Sequence, residues 1–267
     1  MKKFDINRFC KVMSRLILIR RRFIIKLFAG LLIGFFVIAI MFFPFFERQP
    51  MSDAYIRIRL WGITPFINIV FAMSFFTIAT FIISDLGKRQ QRINEMMLPA
   101  TNIEKFLARF ILVSVVCPLL IAIAFIAADG LQQLATMLIF YGGRASLVAT
   151  WYEYCQSLRT GSPLWVNVEI VLLTNSFTLL GGMFFRKVAW LKTLISLFVI
   201  IIGIAISLTT FAYLLYEYTD YELVLTNNAL TTFISNLICI GLTVLMYWSS
   251  YKLYTRLQVI NNRWKNF

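Results

Sequence analysis

Residues 20–46 read RRRFIIKLFAGLLIGFFVIAIMFFPFF: four cations in the first seven positions, then twenty residues, Leu27 to Phe46, without a charge. Twenty residues at a rise of about 1.5 Å each cross a hydrocarbon core of about 30 Å, and backbone polar groups at that depth are satisfied inside a helix. The stretch therefore predicts a membrane-spanning helix with a basic foot. Apolar runs of similar length lie near 23–46, 63–83, 110–128, 166–185, 193–216 and 229–250. The expected fold is all-α, a polytopic membrane protein with six transmembrane helices.

Orientation follows from the connecting segments. Segments 1–26, 84–109, 186–192 and 251–267 share one side with the two termini and hold 21 Lys and Arg. The opposite segments, 47–62, 129–165 and 217–228, hold 5. Basic segments are retained in the cytoplasm, so both termini are expected inside. The chain is expected to divide into a basic amphipathic N-terminal segment (1–26), a six-helix transmembrane domain (27–250) and a cytoplasmic tail (251–267). In the first segment Phe4, Phe9, Val12, Leu16 and Ile19 recur at helical spacing, which would suit a helix lying on the inner leaflet. The run that follows has no small-residue cleavage site and reads as an uncleaved anchor.

Composition narrows the chemistry. The net charge is +14 and 60% of residues are hydrophobic. That charge is explained by topology and anionic lipid rather than by nucleic acid. Histidine is absent, which removes the commonest metal ligand and general base. No metal or cofactor is expected, and an integral-membrane enzyme is the least favoured class. The four cysteines, Cys10, Cys117, Cys155 and Cys239, fall in an inner tail, two spans and one outer loop; Cys155 alone faces the oxidising side, so no disulfide framework is expected. The longest outer segment, 129–165, contains Leu131, Leu134, Leu138 and Gly142-Gly143, and a short interfacial or re-entrant helix is one reading of it. Trp61, Trp151 and Trp165 are expected at outer span ends, Trp190 and Trp248 at inner ones.

The informative cytoplasmic segment is 84–109. Leu86, Ile93, Met96 and Met97 can share a helical stripe, with Lys88, Arg89, Arg92 and Glu95 elsewhere around the cylinder. Pro99 stops that helix, and Thr101 with Glu104 forms a capping box at the head of the next apolar run. The expectation is one short amphipathic helix, a proline break and a freshly capped helix entering the third span.

The stretch Leu98-Pro99-Ala100-Thr101-Asn102-Ile103-Glu104-Lys105-Phe106-Leu107-Ala108-Arg109 resembles the LPA-S/T-xx-EKFL-x-R run of permease-like membrane proteins in the type-2 ABC-exporter superfamily, especially those of Bacteroidota. The resemblance implies a permease subunit in the bacterial inner membrane, working as a homodimer or permease heterodimer. It also implies that the short helix before the third span couples to a cytoplasmic ATPase. The residues so placed are Leu86, Arg89, Ile93, Met97, Leu98, Pro99, Thr101, Glu104 and Lys105. In that superfamily outer-leaflet helices commonly lie between the fifth and sixth spans, whereas here the long outer segment follows the third. The ATPase must come from a separate chain, since no Gly-x-x-x-x-Gly-Lys-Ser/Thr loop is present. The alternative function is a non-transporting membrane protein serving assembly, immunity or signalling.

Polar residues inside the spans form the remaining candidates. Asn228, Thr231, Thr232, Ser235, Asn236 and Thr243 fall on one side of the last span. With Asn68, Glu169 and Asn175 they could line an intramembrane polar path or, as favoured here, hold helices together by hydrogen bonds. Gly181-Gly182 in the fourth span would allow close helix approach.

Overall fold

The structure is a computed structural model that describes residues 4–41, 52–87, 89–139, 145–158, 164–185, 187–219 and 229–257. Expectations resting on Phe42–Phe46, Gly142-Gly143, Asn228 and tail residues 258–267 lie outside the described residues. The elements are α1 (Ile6–Met41), α2 (Asp53–Thr80), a 3-10 turn (Ser84–Leu86), α3 (Arg89–Met96), α4 (Asn102–Ile111), a π turn (Leu112–Val116), α5 (Cys117–Ile139), α6 (Leu147–Ser157), α7 (Leu164–Phe184), α8 (Ala189–Tyr218) and α9 (Ala229–Thr255). Among the described residues, six helical stretches are long and apolar enough to cross a membrane, so this is an all-α, multi-pass membrane protein. Contacts divide the chain into two units, residues 1–78 with 100–163, and residues 79–99 with 164–267.

In the first unit, α1 is one unbroken helix of 36 residues, about 54 Å long. No bend separates the basic foot from the apolar shaft, because nothing between Ile6 and Ala29 breaks a helix. Its amphipathic face is used inside the protein: Phe9, Val12, Met13 and Ile24 surround a buried cluster of Leu16, Ala108 and Leu112. Phe9, Val12 and Leu16 are therefore covered by α4 and the π turn rather than laid on a leaflet. Arg8 meets Glu104, Leu16 meets Ala108 and Leu112, and Phe35 meets Phe125, so α1 runs alongside α4 and α5 in the same direction.

The third span is longer than its apolar run. Leu131, Leu134 and Leu138 continue α5, and the short helix of the loop is α6, which carries Trp151. Trp151 packs against the phenylalanines of the first unit. It stacks on Phe71 with ring centroids 5.1 Å apart and meets Phe125 edge-on at 5.6 Å, while Phe35 reaches both phenylalanines. Each such aromatic pair adds about 0.5–1.5 kcal/mol beyond area burial. Asp129 of α5, buried, accepts hydrogen bonds from Ser146 Oγ and the Leu147 N–H, both at 2.7 Å, and so pins the start of α6.

Two prolines are accommodated locally. Pro65 inside α2 has no N–H for the Trp61 carbonyl; the buried Thr64 hydroxyl donates to that oxygen instead at 2.6 Å. Pro118 follows the π turn, where the Cys117 N–H reaches back to the Leu112 carbonyl. The wider turn makes room for a residue that cannot donate to the ladder.

In the second unit α7 packs against α9 and α8. Tyr247 donates from its hydroxyl to Asn175 Oδ1 at 3.0 Å, and Ser176 Oγ lies 3.6 Å from the Met246 sulfur. The glycine pair serves close approach: a Cβ on Gly182 would sit 2.5 Å from the Thr80 carbonyl oxygen, and one on Gly181 would collide with Thr193. Val188 enters α8 at φ 50°, a left-handed conformation that a β-branched residue rarely adopts. Beyond its first turns α8 is exposed along its length.

Candidate functional site

The segment 84–109 folds as a 3-10 turn, the eight-residue helix α3, a break at Leu98–Ala100 and the capped helix α4. The unit boundary falls between Pro99 and Ala100, so Leu86 to Pro99 belong to the second unit and Thr101 to Lys105 to the first.

In the second unit α3 is anchored at both ends. Arg92, expected off the apolar stripe, is buried; its Nε donates to the Leu86 carbonyl at 2.8 Å and its Nη2 to the Gly87 carbonyl at 3.3 Å. The guanidinium closes carbonyls of the 3-10 turn, which a short helix leaves open. At the other end Glu95 Oε1 accepts from the buried Tyr254 hydroxyl at 2.8 Å, tying α3 to the end of α9. The expected apolar stripe is split by this arrangement. Leu86 is buried, Ile93 and Leu98 are half-buried, and Arg89, Met96, Met97 and Pro99 are exposed, Met97 to 78%. A cavity of about 260 Å³ lies beside the 3-10 turn, lined among others by Thr80, Leu86, Gly182, Val188 and Trp190.

In the first unit the capping box is complete. Thr101 Oγ1 accepts from the Glu104 N–H at 3.3 Å, and Glu104 Oε2 accepts from the Thr101 N–H at 2.9 Å. The second carboxylate oxygen reaches across to α1: Oε1 accepts from the Asp5 N–H at 2.9 Å and from Arg8 Nη2 at 3.0 Å. Asp5 itself caps α1, its Oδ1 accepting from the Asn7 N–H at 2.9 Å. One carboxylate with no exposed surface thus closes the amino ends of two parallel helices, where both macrodipoles favour negative charge. Lys105 and Arg109 are buried as well. The surface expected at Glu104 and Lys105 is therefore covered by the protein itself, because a residue that caps its own helix and holds another has no face left over. Thr101 is half-buried.

The polar residues of the spans do not form one group. Asn68 is half-buried on α2 in the first unit, while Glu169, Asn175, Thr232 and Asn236 belong to the second. Of these, buried Asn175 joins α7 to α9 through Tyr247, which is a packing role. Glu169, Thr232 and Asn236 are half-buried. Among the described residues no group of three or more Cys, Asp and Glu is placed to hold a metal ion.

Arg92, the Glu95–Tyr254 bond and the Arg8–Glu104 pair were not read from the sequence. One signal was present: Lys105, Ala108, Arg109 and Leu112 recur at i, i+3, i+4 and i+7, so these cations share a face with the apolar residues. No family model matches the chain, and neither curated proteins nor solved structures contain a match.

Proposed function

We propose that this chain is the membrane-spanning permease subunit of an ABC-type transporter, an exporter energised by a separate ATPase chain. On this reading it sits in a bacterial inner membrane with both termini in the cytoplasm, and two permease chains pair. The charge asymmetry, 21 basic residues against 5 across the bilayer, supports the orientation. The observation that carries the coupling role is the construction of α3. A short helix held at its head by Arg92 and at its tail by Glu95 is stiff enough to pass on a displacement. It also leaves Met96 and Met97 exposed next to each other, and methionine suits a docking surface that must adapt to its partner.

The test is purification in mild detergent from cells expressing the whole locus. A nucleotide-hydrolysing chain is expected to come with the wild-type protein and to be lost from Met97→Asp, while the amount of membrane-inserted protein stays the same. Retention of the ATPase by Met97→Asp removes α3 as its dock. Absence of any ATPase from the wild type favours the non-transporting reading.

A further inference from the structure

We infer that the basic foot of α1 is a docking surface for the acidic face of a protein on the N-terminal side of the bilayer. Lys11, Arg15, Arg22 and Lys26 fall within an arc of about 60° at 100° per residue. Among the described residues none of the four makes an ion pair or hydrogen bond, and Arg15 Nη1 is shielded from water with no partner. Lys11, Arg22 and Lys26 are exposed and Arg15 is half-buried, while Arg8, at the same angle round the helix as Lys26, is held by Glu104 of α4. Between the two cation pairs stand Leu18 and Ile19, 65% and 53% exposed. Exposed apolar residues next to the cations Lys11 and Arg15 suit a protein partner, whose interface joins an apolar core to a polar rim.

A lipid surface fits less well, for a reason of length. Lys11 and Lys26 are separated by about 22 Å along the helix axis, and by about 17 Å along the bilayer normal even at a tilt of 40°. A headgroup layer is about 5–8 Å thick. The charge-free shaft starts at Leu27, so headgroups reach Arg22 and Lys26 while Lys11 and Arg15 lie beyond them. The foot cannot fold up against the leaflet either, because Glu104 holds Asp5 and Arg8 beside α4. A second copy of the chain would bring the same charges together. An acidic protein surface is the occupant whose charge and reach match, whether or not that protein hydrolyses ATP.

The experiment uses the full chain in neutral phosphatidylcholine nanodiscs with fluorescent poly-L-glutamate as the probe. Wild type is expected to bind, K11E/R15E to weaken binding at least tenfold, and K11A/R15A to fall between the two. Reversal of the exposed pair Lys252 and Arg256 on the second unit should change binding less than twofold. Equal losses from both reversals would mean that only the overall positive charge is sensed, and the inference falls. It falls equally if K11E/R15E binds poly-glutamate as tightly as the wild type does.

Discussion

Glu104 shows how much one side chain can decide. Its Oε2 completes a local capping box, while Oε1 supplies the acceptor for the amino end of a helix 99 residues away in sequence. Replacing it by Gln keeps the size but removes the charge that two helix dipoles and Arg8 all favour. We expect Glu104→Gln to cost about 2 kcal/mol. Thr101→Ala, which removes only the local cap, should cost about 1 kcal/mol. Thermal unfolding in detergent should rank them in that order, and limited trypsin digestion should cut at Arg8 in Glu104→Gln before it does in Thr101→Ala. If Thr101→Ala proves the more damaging, the long-range arm of the carboxylate contributes little.

At the scale of elements, the prolines explain how long helices survive interruption. A buried carbonyl left without a donor is costly, and α2 answers with the Thr64 hydroxyl on the Trp61 oxygen left bare by Pro65. Thr64→Val should therefore destabilise the wild type by about 1–2 kcal/mol. In a Pro65→Ala background, where the ladder N–H returns, the same change should cost almost nothing. Equal costs in the two backgrounds would show that Thr64 matters for packing alone. A π turn precedes Pro118 in the third span, where the Cys117 N–H reaches back to the Leu112 carbonyl. α1 needs no such device, and its continuity lets its foot be gripped by α4 while its shaft remains apolar.

For the whole molecule the governing fact is the number of spans and the charge left between them. Among the described residues six apolar helices account for most of the chain, and their exposed faces, α8 above all, present Ile, Leu, Val and Phe as lipid-facing surface does. The proposed orientation places Asn94 and Ser52 on opposite sides. Single cysteines put there in a cysteine-free background should behave oppositely in intact spheroplasts: Ser52→Cys labels with a membrane-impermeant maleimide, Asn94→Cys only after lysis. The reverse pattern would turn the molecule over and move the proposed docking surfaces to the wrong compartment.

What could be read from the residues in order was whatever depends on near neighbours. Span number follows from apolar length, because a run of about 20 apolar residues matches a helix crossing hydrocarbon, with its backbone groups satisfied internally. The cap at Thr101 and the stop at Pro99 follow from geometry within four residues. The close approach at Gly181-Gly182 also needed only the missing side chains to be foreseen. Tertiary structure alone decided what those local features are for. It turned Arg92 inward, gave Glu104 a second helix to hold, set Trp151 against Phe71 and Phe125, and packed Phe9, Val12 and Leu16 of α1 with Ala108 and Leu112. A charged side chain carries the same sign whether it faces water or a distant carbonyl, so only the partner brought beside it by folding determines which role it takes.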